Sequence, residues 1–390
     1  MLVMPQEAGW LGQRLSSSPE FERCAEALGG VAVGREFPVE KIRMQQEYIL
    51  SLLIWDNLAK NRGANACGQR FDSHFGYVEN DDPDAFAISD RGVHFCGIYT
   101  GLLRSAFYLA DEIFLLRNVV EGFGGFVSKD ETDRKLQLFP KPDEIAESEA
   151  LAARATVIAH PKRVSARDHF AHFLVTFTLY HEFNHAISGH SAFVASRLGL
   201  SRLHEYGRRS GEGLTSALHQ EVEYTADMGA IETMFDYVNR GAILRRLYPN
   251  APRISALHRI FLIALSVLCA QWNAMNRTFG LDGLHPDPAA RWAACLRLYT
   301  VFLQSYYWLG GWAWIGKASV KEVGAIAAQC GDMLDMTTRL AEFGEGSDYW
   351  KLREPKNHLI RPDDIRDLAY PPIKEPKPYR SSKLNALLGK

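Results

Sequence analysis

The stretch TLYHEFNHAISGH, residues 178–190, decides how this 390-residue chain is read. Three histidines and a glutamate fall in a run whose other residues are mostly apolar or small. FLVTFTLY, residues 173–180, has the β-branched and aromatic content of a strand, but length argues for a helix. Ser165-x-x-Asp168 has the form of a capping box and Gly189 that of a C-terminal stop, with neither Gly nor Pro between them. On such a helix Leu174, Thr178, His181 and His185 make one stripe. His181 and His185 then point the same way, one turn apart, as two imidazoles must to share one tetrahedral ion. Glu182 lies beside them, where a carboxylate can reach a metal-bound water without ligating the metal. That is the place of a hydrolytic general base.

A pentad of this form arises by chance in roughly a few per cent of chains this long, so a third ligand decides its weight. LHQEVEYTADMGAIETMFDYVNRG, residues 218–241, has helical periodicity, with Thr215 or Ser216 as its cap and Gly241 as its stop. His219, Glu223, Asp227 and Ala230 share a stripe, and Ala226 and Gly229 are small enough for another helix to approach. Glu223 completes a two-histidine, one-glutamate zinc site whose fourth position stays open. Asp227, one turn on, can accept the free ring N–H of a ligating histidine and so fix its tautomer. Glu221 is the rival ligand, but it has no acidic partner four residues later. His190 reads as a residue behind the ligands or at the surface, not as a further ligand.

HExxH followed by ExxxD resembles the glutamate-zincin metallopeptidases. Two more segments are similar to one branch of them, the CAAX-prenyl-endopeptidase and heat-shock-peptidase type. PDAFAISDRGVHFCGIYTGLL, residues 83–103, is similar to that branch's NAFA…G…GLL segment, with Asp84 in place of asparagine. His285-Pro286 with Arg291 is similar to its HP(x)4R element. The spacing from Leu103 to His181 is longer than in that branch, and its membrane helices are not identifiable. HExxHxxxGH is also similar to the Lit-type phage-exclusion peptidases and, more loosely, to ImmA-type peptidases. The resemblance implies a zincin-like fold, Zn2+ as cofactor, and His285 and Arg291 near the metal, stabilising the oxyanion or holding substrate backbone.

The bulk numbers are those of an ordinary globular chain. The chain is 47% hydrophobic and 23% charged, with net charge −2 and a pI near 6.7, which gives no general attraction to nucleic acid or anionic lipid. Cys24, Cys67, Cys96, Cys269, Cys295 and Cys330 form no CxxC pair and read as free thiols. The opening MLVMPQEAGW has neither the basic nor the apolar region of a secretory signal, so a cytoplasmic setting is expected. Residues 260–276 and 298–315 lack formal charge and approach spanning length, but polar residues interrupt both. They read as buried core helices, and no membrane association is expected. The second is expected to continue a helix beginning near Pro286.

The expected architecture is α+β: a zincin-like core with a small sheet packed on the HExxH helix, and a mainly helical C-terminal half. Residues 1–80 form an N-terminal helical region and 81–300 the core, with an insertion at about 121–152. C-terminal helices follow over 301–353, then a proline-rich charged tail over 354–390. Ala85–Ile88 and Val93–Ile98 are expected as strands, the second an edge strand along which an extended substrate adds. ATVIA, residues 155–159, is a further strand candidate. The expected activity is zinc-dependent endopeptidase action on a protein or peptide. The alternative is a catalytically inactive zincin-like regulator that binds zinc and a partner without cutting it.

Overall fold

In a computed structural model of the chain, the described residues are 18–32, 42–62, 71–90, 92–115, 123, 136–138, 161–192, 203–204, 216–240, 252–279, 287–307, 311–328 and 330–342. Residues 155–159, the tail from 354, most of the 121–152 insertion and His285-Pro286, for which the sequence raised expectations, lie outside them.

A short helix α1 (Pro19–Glu26) starts at Ser18, whose side chain caps the N–H of Phe21, with proline in the first turn. Helix α2 (Ile42–Arg62) follows, then three strands: β1 (Asp72–Val78), β2 (Ala85–Asp90) and β3 (Val93–Tyr99). Helix α3 (Thr100–Leu115) leads toward the long α4 (Pro161–Ile187). After the two-residue strand β4 (Leu203–His204) come α5 (Ser216–Arg240), α6 (Ile254–Phe279), α7 (Pro288–Tyr306), α8 (Gly311–Ala327) and α9 (Gly331–Glu342). At this level the chain is α+β, mostly helical with one small mixed sheet.

The sheet order is β1-β3-β2-β4, with β3 parallel to β1 and antiparallel to β2. Alternation along the strands gives two faces. Phe75, Tyr77, Ala85, Ala87, Cys96 and Ile98 join the main core with α4, whereas Val78, Phe86, Ile88, Phe95 and Tyr99 join a smaller cluster with Phe21 of α1. Cys96 sits on α4 at the level of Glu182, its Sγ 3.5 Å from the Glu182 carbonyl oxygen.

The sheet corrects one expectation. Strand β3 is not an edge: β1 pairs with it from Asp72↔Val93 to Val78↔Tyr99, and β2 pairs with it on the other side. An added substrate strand has no free ladder there. The strand that fills this edge, β1, has little strand character of its own, because it opens Asp72-Ser73-His74 and carries Gly76.

Two helix boundaries also move. Helix α4 begins at Pro161, so the Ser165…Asp168 signature lies inside it; the Ser165 carbonyl faces His169 Nδ1 at 2.6 Å, and Asp168 turns to Arg43 and Arg167. Residues 298–315 are not one continuous helix, since α7 ends at Tyr306, Tyr307 is extended, and α8 starts at Gly311. Within α6, Ile254–Thr278 is long and apolar enough to cross a membrane, with mean hydropathy 1.7, yet 83% of that window is buried inside the fold. Its contacts with α4, α7, α8 and α9 are those of a core helix.

Candidate metal centre

Four helices build the centre. Helix α4 crosses α5 closely because small residues line the crossing. Ala226 and Ala230 are buried, and Gly229 lies so near α4 that a Cβ there would come within 2.1 Å of Asn184 Oδ1. Asn184 is held in place by donating from Nδ2 to the Tyr180 carbonyl at 2.7 Å. This approach sets the His181–His185 stripe of α4 opposite the Glu223–Asp227 stripe of α5.

The donor atoms converge. Nε2 of His181 and Nε2 of His185 are 2.9 Å apart. Glu223 Oε2 lies 3.3 Å from His181 Nε2, and Oε1 lies 3.5 Å from His185 Nε2. One ligand atom from each of the three residues lies within 4.8 Å of the others. On a tetrahedral zinc, with bonds of about 2.0–2.1 Å, donor atoms stand about 3.3–3.4 Å apart. The two nitrogen–oxygen separations match that figure, and the nitrogen pair needs to spread by about half an ångström. Glu221 is not part of this group.

The surroundings of the rings admit the tautomers that ligation needs. His181 Nδ1 lies 3.0 Å from Asp227 Oδ1, so a proton on Nδ1 leaves the Nε2 lone pair facing the other donors. His185 Nδ1 lies 3.0 Å from His190 Nδ1, which places His190 behind His185 and on the opposite side from its Nε2. Gly189, at φ 80°, makes the turn that brings His190 back under the helix. Burial pushes His185 well below its ordinary pKa and His190 down to about 4, so both rings are held neutral. For Asp227, burial is the largest influence and works against ionisation, but Arg291 and His181 together outweigh it and hold the carboxyl below its usual range.

Arg291 comes from the first turn of α7, whose start is fixed by Asp287 accepting from the Ala289 N–H. Its Nε and Nη2 donate to Oδ2 and Oδ1 of Asp227, each at 2.8 Å. Its guanidinium stacks 3.7 Å above the Trp272 ring of α6. Of the residues singled out in the sequence, His181, His185, Glu223, Asp227 and Arg291 therefore come together here, with Glu182 next to His181 on the helix. His285 lies outside the described residues, as does the side chain of His219.

Exposure is between 0 and 3% for His181, Glu182, His185, Glu223, Asp227 and Arg291. Three carboxylates and one guanidinium, counted by formal charge, leave two negative charges among these buried side chains. That is costly unless compensated, and one divalent cation compensates it. The set holds no soft thiolate donor, and two imidazoles with one carboxylate suit a divalent transition metal such as zinc or iron(II). Comparison of the chain with protein-family models, with curated proteins and with solved structures finds no match.

Proposed function

We propose that this chain is a zinc-dependent endopeptidase with a zincin-like core, acting on a protein or peptide. The observation that carries the proposal is the convergence of His181, His185 and Glu223 at the α4–α5 crossing, with Glu182 adjacent on the same helix. Zinc held by the three donors would supply a Lewis acid and a water of lowered pKa. Glu182 accepts the proton of the attacking water and returns it to the leaving amine, the work of a positioned carboxylate base. Asp227 keeps the His181 proton on Nδ1, and His190 fills the same place behind His185.

Burial of the ligand set supports a second reading, a structural zinc site in a partner-binding regulator, because structural sites are closed. Two features weigh against it. Structural sites hold four protein ligands, whereas three donors converge here among the described residues. A structural site also has no use for a buried carboxylate at position 182.

The test is a comparison of protein termini in cells expressing the chain or its Glu182→Gln variant. New termini should appear with the wild type and vanish with the variant, while the purified variant keeps its metal. Loss of turnover by roughly a hundred to ten-thousand-fold is the expected size of the effect. Identical termini in both cells would remove the endopeptidase reading.

A further inference from the structure

We propose that Arg291 is a positioning residue, building the metal site through Asp227 instead of donating to the reacting carbonyl. The inference rests on the metal-site reading above. An oxyanion donor must aim N–H groups at the place where substrate charge develops. In Arg291 the two-donor edge of the guanidinium is turned to Asp227, with both bonds at 2.8 Å. Asp227 Oδ1 in turn stands 3.0 Å from His181 Nδ1, across the ring from the ligating Nε2. Arg291 is thus two residues behind the ligand and faces its back.

The same guanidinium reaches the third ligand. Nη2 lies 3.6 Å from Glu223 Oε2, so one planar group spans both carboxylates of α5, one turn apart. Its face rests on Trp272, which removes the freedom to swing away. A chain of contacts follows: α6 supports Arg291, Arg291 fixes the plane of Asp227, and Asp227 fixes the tautomer and ring angle of His181. Lysine cannot replace this, since it offers a point charge where a fork is needed.

Metal affinity separates the possible roles by sign. A positive charge near a cation disfavours it, so if charge were all that mattered, removing Arg291 would tighten metal binding. An oxyanion donor would leave affinity unchanged and lower kcat alone. A positioning residue weakens binding when lost, by about ten to a hundred-fold, as is typical for partners that orient metal ligands.

The experiment is a chelator competition for Zn2+ and Co2+ on the purified full chain. It compares wild type, Arg291→Lys, Arg291→Gln, Asp227→Asn and the double variant Asp227→Asn/Arg291→Gln. Each single variant should bind about ten to a hundred-fold more weakly, with a changed visible spectrum for bound Co2+. The double variant should bind no worse than Asp227→Asn alone, because Arg291 acts on His181 through Asp227. It also removes both charges of the Arg291–Asp227 pair together, so it stays measurable if Arg291→Gln does not fold. Unchanged or tighter binding in Arg291→Lys and Arg291→Gln, or additive losses in the double variant, would overturn the inference. A wild type that binds neither metal would instead remove the metal-site reading beneath it.

Discussion

Gly229→Ala should have opposite effects in two backgrounds, and the α4–α5 crossing gives the magnitude. The new methyl would lie 2.1 Å from Asn184 Oδ1 and 2.5 Å from its Cγ. Ordinary contact needs more than an ångström of extra room. Asn184 can provide it by swinging out, at the cost of its 2.7 Å bond to the Tyr180 carbonyl, or the helices can part. Overpacking of this kind costs about 1–3 kcal/mol. Alanine also gains about 1 kcal/mol over glycine inside a helix. The net loss in stability should therefore be about 0–2 kcal/mol. Metal affinity should fall as well, because parting the helices carries Glu223 away from His181 and His185. With Asn184→Ala already in place the obstacle is gone, and Gly229→Ala should then stabilise by up to about 1 kcal/mol. Urea unfolding and zinc competition on the four proteins of this cycle measure both effects. If Gly229→Ala has the same sign and size in both backgrounds, the crossing does not position the site as described.

Asp227→Asn should leave the fold intact and weaken zinc binding by about ten to a hundred-fold, measured by chelator competition; wild-type affinity would return Asp227 to an ordinary buried carboxylate. Burial holds His94 and His169 down to about 4 and His258 to about 3, against an ordinary 6.5. The unfolded chain takes up those protons first, so the contribution is complete above pH 6.5 and is lost as pH falls toward 4, by about 1.4 kcal/mol per unit for each histidine. A urea midpoint that stays level from pH 6.5 to 4.5 would contradict this. Cys96, Cys269, Cys295 and Cys330 are buried and form no disulfide, and burial pushes Cys96 and Cys295 well above the ordinary thiol range. Alkylation of the native protein, mapped by mass spectrometry, should spare all four until the chain unfolds.

What was legible in the sequence is what local pattern encodes. Helix α4 follows from the HExxH stripe and the Gly189 stop, and α5 from the Glu223–Asp227 stripe with the small residues Ala226 and Gly229. The β2–β3 hairpin follows from two apolar runs around a polar turn. Strand β1 was not legible because its reason is tertiary: at Gly76 a Cβ would press to 2.5 Å from the Phe21 ring of α1. The start of α1 did carry a signal, Ser18-Pro19-Glu20, of the kind that opens helices. The Arg291–Asp227 pair joins residues 64 positions apart and has no local signature, so sequence offered Arg291 without its partner. The same holds for Glu47, whose carboxylate oxygens each lie 2.9 Å from His172 Nδ1 across the core. His172 Nε2 then meets the Tyr237 hydroxyl at 2.9 Å, which makes this histidine a satisfied core residue.

The central claim, a zinc ion held by two histidines of α4 and one glutamate of α5, is tested most directly by metal content. Elemental analysis of the purified full chain should find about one zinc per molecule. His181→Ala, His185→Ala and Glu223→Ala should each lose it, while Glu221→Ala and Glu182→Gln keep it. Full zinc in Glu223→Ala with loss in Glu221→Ala would mean the third ligand is misassigned, and a wild-type chain that binds no zinc would contradict the account.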